Sequence, residues 1–232
     1  MASEGTAPGA QGHMQPAPYA TDRGVEPPAA RRERGLRALS VSSRLLAGAT
    51  TFFFMSFVFA YFYLRSLNIE GGWRAPHIKP DQALGAAFVA CLVLSAIAHV
   101  GAERQQRSRS EWVGLATASL VLGLAAIVVQ CIEFTVQDFG PTDGAYASVF
   151  CGWLAFYLLF VLGTMYWLEI QLATELRERR KPTATARPGA GVTEYEDPDQ
   201  LLPRGIAAST FYWSFLVGIG VLTWVILYLL QT

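Results

Sequence analysis

Few side chains in this sequence could do chemistry, and their spacing limits what that chemistry is. A transition-metal site needs several converging imidazole, thiolate or carboxylate donors. The chain has three histidines, His13, His77 and His99, and no two of them share a helical stretch. The three cysteines, Cys91, Cys131 and Cys151, each lie inside an apolar run at separations that match no metal-ligand pattern. They read as free thiols packed like small apolar groups. No phosphate-cradling Gly-rich loop and no nucleophile motif occurs. The expectation is a chain with no catalytic residue, no cofactor-binding residue and no metal ligand of its own, and no affinity for nucleic acid.

Two polar pairs stand out against apolar surroundings. His99 and Glu103 are four residues apart and would share one helix face, where they form either a proton-collecting surface or a simple interfacial contact. Glu133 closes a long uncharged run, with Gln130 one turn earlier on the same face. A carboxylate at or inside a membrane boundary is costly and points into a bundle or at a partner. Glu133 therefore reads either as a buried contact that locks helices or holds a lipid head group, or as a helix-end acid that reaches water.

The elements that must position these residues follow from hydropathy. Hydrophobic residues make up 52% of the 232 and charged residues only 16%, against about 25% charge in a soluble domain. The charges cluster between five runs that contain no Asp, Glu, Lys or Arg. Each run is long enough for the roughly 20 residues a helix needs to cross a bilayer. The spans are placed at about 45–66, 82–102, 112–134, 144–170 and 205–230. Continuous apolar runs, rather than alternation, exclude barrel strands. The fold class is thus all-α, a polytopic helical bundle with five transmembrane helices. The first apolar run starts too far into the chain, and is too long, for a cleaved signal peptide.

Basic residues orient the bundle. With the N-terminus cytoplasmic, Arg23, Arg31, Arg32, Arg34, Arg37, Arg44, Arg104, Arg107, Arg109, Arg177, Arg179, Arg180, Lys181, Arg187 and Arg204 lie inside, and only Arg65, Arg74 and Lys79 outside. The C-terminus is then outside, and the cell's inner (plasma) membrane is the expected location. Residues 1–38 are rich in Ala, Pro and Gly and end in a basic cluster, so a disordered cytoplasmic tail is expected ahead of a membrane domain over 39–232. The cluster is either a topology signal or a contact for a subunit or anionic lipid. A cytoplasmic loop over about 177–203 has similar mixed composition, with an acidic half at Glu194, Glu196, Asp197 and Asp199. The odd number of spans, without an internal repeat, argues against a transporter built from matched halves.

The first span is dense in aromatics, Phe52, Phe53, Phe54, Phe57, Phe59, Tyr61, Phe62 and Tyr63, as suits a helix facing lipid or a partner. It continues through Leu64-Arg65-Ser66-Leu67 to Gly71-Gly72-Trp73-Arg74-Ala75-Pro76. The third span carries Gln130-Cys131-Ile132-Glu133-Phe134. The fourth opens with Asp143-Gly144-Ala145-Tyr146-Ala147-Ser148-Val149-Phe150, and the last with Phe211-Tyr212-Trp213-Ser214-Phe215. In this order and at these separations the segments resemble subunit III of the haem-copper oxidases (the cytochrome c oxidase subunit III family) in its five-span form. The resemblance runs from about Leu45 to the C-terminus and leaves out the tail and the longer cytoplasmic loop.

That resemblance implies a non-catalytic subunit of a respiratory terminal oxidase. It would dock mainly against subunit I, which carries haem and copper, and hold phospholipid between its helices. It would support aerobic electron transfer to oxygen and proton pumping without a redox centre of its own. Glu133, Gln130, His99, Glu103, Arg65 and Trp73 are its candidate polar, lipid or interface contacts. The sequence also departs from the family pattern. Thr50 and Thr51 stand where a buried Ser-Glu pair is common, Ala155 to Phe160 lack two family histidines, and Ser214 and Val217 replace a His and an Asp. Replacing a whole paired polar set by apolar groups can leave stability unharmed. An accessory subunit of a nitric oxide reductase is the alternative within the family, and a free-standing small transporter or lipid-handling membrane protein is the alternative outside it.

Overall fold

The structure, a computed structural model, describes residues 28–68, 73–105, 109–180 and 202–230. The chain divides into two compact units, Met1–Gly35 and Leu36–Thr232. Of the first unit only the start of a helix is described, and the helical bundle belongs to the second. The expected tail over residues 1–27 and the loop over 181–201 lie outside the described residues.

Five helices are present, α1 (Pro28–Ser66), α2 (Gln82–Arg104), α3 (Arg109–Val136), α4 (Ala145–Arg180) and α5 (Leu202–Trp224). A π-helical turn, Val225–Leu229, continues α5. No strand occurs among the described residues, and all five helices are long and apolar enough to cross a membrane. The helices overrun the expected spans. α1 starts at Pro28, inside the segment read as a disordered tail, and α4 continues to Arg180. The physical reason is that apolar runs mark only the part of a helix that lipid can cover. The flanking Ala, Arg, Glu and Leu are good helix formers, and Pro is tolerated in a first turn.

In lipid there is little hydrophobic drive for one apolar helix to bind another, so close packing and hydrogen bonds hold the bundle. The most extensive close backbone packing is between α2 and α3, where small residues are buried. Ala102, Ala116 and Ala126 are buried, and Ser95 Oγ donates to the Ser119 carbonyl at 2.6 Å. Elsewhere a glycine forms a notch for a large side chain. Met165 fills the notch at Gly123, Tyr157 fills that at Gly220, and Tyr228 fills that at Gly85.

α1 is attached differently, through large rings rather than close backbones. Phe53 meets Phe156 and Phe160 with ring centroids 5.3 and 5.4 Å apart, and Phe57 stacks on Trp153 at 5.8 Å. Phe54, fully buried, sits edge-on to Tyr157 and Phe160. The aromatics of the first span therefore divide. Phe53, Phe54 and Phe57 turn inward onto α4, while Phe52 and Phe59 remain 82% and 69% exposed on the outer surface.

A Cβ added at Gly85 would fall inside the Tyr228 ring, whereas Gly163 faces open space. Gly85→Ala is expected to destabilise the protein by about 1–3 kcal/mol through overpacking. Gly163→Ala is expected to be neutral or to stabilise by up to about 1 kcal/mol through helix propensity. Denaturant unfolding in mixed micelles measures both.

Candidate functional site

The sequence-derived polar positions fall at two levels, one at each end of the bundle. The richer cluster lies at the end that carries Trp73, and it is organised by the last turn of α5.

A helix terminus leaves its final carbonyls without partners, and in apolar surroundings side chains must satisfy them. The π turn closes with the Leu230 N–H donating to the Val225 carbonyl at 3.0 Å. Three of the other carbonyls of this turn, those of Leu227, Tyr228 and Leu230, are taken by three other helices. Tyr146 Oη of α4 donates to Leu227, and Gln82 Nε2 of α2 donates to Tyr228 at 2.9 Å. Tyr61 Oη and Arg65 Nη1 of α1 both donate to Leu230, at 2.8 and 2.9 Å. The Arg65 cation also complements the negative end of the helix dipole.

The same turn reaches the fifth helix through its own side chain. Tyr228, buried against Gly85 and Phe150, extends its hydroxyl to Oε2 of Glu133 on α3 at 2.7 Å. Gln130 Nε2 donates to that oxygen at 2.8 Å. Glu133 and Gln130 are both 0% exposed. The Asp81 main chain also faces the carboxyl, while Glu133 Oε1 and Gln130 Oε1 have no hydrogen-bond partner among the described residues. Of the two readings open for Glu133, the structure supports the buried one. It is a lock between helices, not an acid that reaches water.

Local sequence explains how these groups are delivered. Asp81 caps α2, accepting from the N–H groups of Ala83 and Leu84 at 2.8 and 3.1 Å, which starts the helix so that Gln82 and Gly85 face Tyr228. Before α4, Asp143 Oδ2 accepts from the Gly140 N–H at 2.6 Å, and Gly144 adopts φ +136°, a conformation other residues avoid. This turn aims Tyr146 into the cluster, where its N–H donates to the Trp73 carbonyl at 3.2 Å. Trp73 is buried between Tyr61 and Tyr146, edge-on to both at 5.2 and 5.8 Å, and its backbone N–H donates to Asn68 Oδ1 at 2.9 Å.

Four of the six sequence-derived positions, Arg65, Trp73, Gln130 and Glu133, therefore meet at one end. His99 lies at the other end and Glu103 one turn further on. His99 is 2% exposed, and its Nε2 lies 3.3 Å from Ser209 Oγ of α5. Ser209 in turn donates to Gln171 Oε1 of α4 at 3.0 Å or to the Ile206 carbonyl at 2.8 Å. No described contact joins His99 to Glu103. The i,i+4 spacing is real, but the ring turns inward to α5, so the interfacial and proton-collecting readings of that pair are replaced by a buried inter-helix tie.

Sequence reasoning missed Tyr228, Tyr146, Tyr61, Gln82 and Gly85 as members of the cluster. The available signal was the position of the three tyrosines near span ends, with one polar atom each to satisfy. Among the described residues no group of three or more His, Cys, Asp or Glu side chains could hold a metal ion. Comparison with known proteins gives no family model that matches the sequence and no similar curated protein.

Tyr228→Phe keeps the ring in its notch but removes the hydroxyl from Glu133. The expected cost is about 1–3 kcal/mol, the range for leaving a buried acceptor short of a donor. Tyr63→Phe, at a half-exposed ring on the surface of α1, should stay within about 0.5 kcal/mol. Unfolding midpoints of the two variants in one detergent system make the comparison.

Proposed function

We propose that this chain is a non-catalytic subunit of a membrane-bound respiratory complex, the third subunit of a haem-copper terminal oxidase. In that role it docks against the subunit that carries haem and copper, holds phospholipid along its surface, and supports electron transfer to oxygen and the coupled pumping of protons. The complex is the oxidoreductase, and its redox centres belong to the partner. In this reading the Trp73 end faces out of the plasma membrane and the His99 end faces the cytoplasm.

The observation that carries the proposal is the ordered set of short segments with which this sequence resembles the oxidase subunit III family, on a bundle of five membrane-length helices. The positions the resemblance singles out also do connected work. The Trp73 loop, the Gln130-to-Glu133 segment and the Asp143-to-Tyr146 segment supply the clasp around the end of α5. The substituted family positions have apolar replacements or neutral ones bonded to another helix. Thr50 pairs with Tyr212 at 3.0 Å, Tyr157 donates to the Leu216 carbonyl at 3.0 Å, and Val217 is buried. A scaffold in which buried ionisable groups have largely been replaced suits a supporting role better than a proton path of its own. The same departures leave the nitric oxide reductase branch of the family as the second reading.

Purification of the tagged chain from native membranes in mild detergent tests the proposal. Co-purification of haem with a larger multi-span partner is expected, with oxygen consumption by the isolated complex. Turnover of nitric oxide without oxygen consumption would move the chain to the second branch. A colourless, partner-free, folded chain would overturn both readings and turn attention to transport or lipid handling.

A further inference from the structure

α1 meets the rest of the bundle along a narrow seam. Ser43, Ala47, Thr50, Phe54 and Tyr61 are buried, at the alternating spacings of three and four residues that mark knobs-into-holes packing. The same period recurs on the outer side of the helix. Ser42, Ala49 and Ser56 form one exposed row with a residue in every seventh position, and Leu45, Phe52 and Phe59 form a second row between them. The first row is small. The second is large, with Leu45, Phe52 and Phe59 exposed by 70, 82 and 69%. Tyr63, which follows Ser56 in the first row, lays its ring on Phe59 with centroids 5.7 Å apart. The Ser56 hydroxyl turns back to the Phe53 carbonyl at 2.6 Å, so this position needs no polar neighbour.

Fluid lipid chains impose no such alternation of size. The outer face of α3 shows what lipid contact accepts, since Val121, Leu124, Val128 and Ile132 are exposed aliphatics of similar bulk. Membrane helices associate where small residues let backbones approach closely, and aromatic side chains are enriched in interface cores. At about 200 Å² for each large side chain, the exposed parts of Leu45, Phe52, Phe59 and Tyr63 offer roughly 500 Å². That is the larger part of the ~800 Å² that each side of a stable interface contributes. A second copy of this chain is a poor occupant. In the same membrane orientation its α1 runs parallel, which sets Phe52 on Phe52 and Phe59 on Phe59 and leaves Ala49 and Ser56 facing their own small counterparts. A helix that runs the opposite way can set small against large at every level.

We propose that the outer seam of α1, from Ser42 to Tyr63, is the docking face for one transmembrane helix of the haem-bearing partner subunit. That helix runs antiparallel to α1 and presents Gly, Ala or Ser to Leu45, Phe52 and Phe59. The inference rests on the reading of this chain as a subunit of a larger complex, and it names the surface that makes the contact. α1 then stands between two seams, the inner one on α4 and α5 and the outer one on the partner, while the outer face of α3 is left to lipid.

The test uses the tagged full chain purified from native membranes in mild detergent. Ala49→Phe and Ser56→Phe fill the small row, Phe52→Ala removes one large side chain, and Val128→Phe enlarges the outer face of α3 as a control. All four positions are exposed, so each variant is expected to unfold at the wild-type midpoint. Haem recovered per tagged chain is expected to fall at least about tenfold in the three seam variants, through overpacking or loss of contact. Val128→Phe should recover as much haem as wild type. A photo-crosslinking residue placed at position 52 should join the chain to the haem-bearing subunit. Wild-type haem recovery in all three seam variants would overturn the docking face and leave the subunit reading intact. A position-52 product that holds only lipid, or a second copy of this chain, would do the same. A wild-type chain that brings down no haem would overturn the subunit reading, and the docking face with it.

Discussion

A helix that ends in apolar surroundings must have its last carbonyls satisfied by something other than water. In this protein that constraint falls on the final turn of α5, and the rest of the Trp73 end is arranged around it. The carbonyls of Leu227, Tyr228 and Leu230 take donors from α4, α2 and α1 in turn. The side chain of Tyr228 then gives its own donor to Glu133 on α3. One turn of chain is thereby tied to all four other helices. The widening from α- to π-helical geometry at Val225–Leu229 belongs to this arrangement, because a π turn re-spaces carbonyls and side chains relative to the helix before it.

Away from that end the bundle is held by small polar ties between two or three helices, set among glycine notches and aromatic contacts. Thr50 with Tyr212 joins α1 to α5, Ser95 with Ser119 joins α2 to α3, and the group of His99, Ser209 and Gln171 joins α2, α5 and α4. Individual inter-helix hydrogen bonds in membrane bundles contribute only about 0.6–2 kcal/mol. No single tie away from the clasp can fix the arrangement, and notch fits such as Met165 on Gly123 are needed to set helix spacing. Among the described residues α1 makes little close backbone contact with the other helices, and it depends on its ring contacts with α4, on Thr50, and on its two donors to Leu230. A helix attached this way leaves a broad apolar outer face, which fits the proposed role of a scaffold packed against lipid and a larger partner.

Much of the architecture was legible because charge and hydropathy alone delimit a membrane helix. The five spans follow from the absence of Asp, Glu, Lys and Arg over about 20 residues, a signal that needs no tertiary information. The helix ends were not legible, since the segment from Pro28 and the end of α4 at Arg180 are polar helix that lipid does not mark. At the site, Glu133 and Gln130 were visible because a buried carboxyl is costly enough to stand out in any sequence. Their partner was not. Tyr228 is one aromatic among many, and only the π turn and the small size of Gly85 bring its hydroxyl to α3. His99 shows the converse. Its spacing to Glu103 suggested a pair, but the partner that matters, Ser209, lies 110 residues away along the chain, a distance that local pattern cannot cross.

If one turn of α5 organises the ends of the other helices, removing it must loosen all of them at once. Amide hydrogen exchange on the full chain, compared with a chain that stops at Ile226, tests this most directly. The shorter chain is expected to lose protection together at the ends of α1 and α3 near Tyr61 and Glu133 and at the starts of α2 and α4 near Gln82 and Tyr146. Protection around Ser95 and Ser119 should persist in the shorter chain. Unchanged protection at Tyr61 and Tyr146 would contradict the organising role of the turn and show that those ends are held by their own packing.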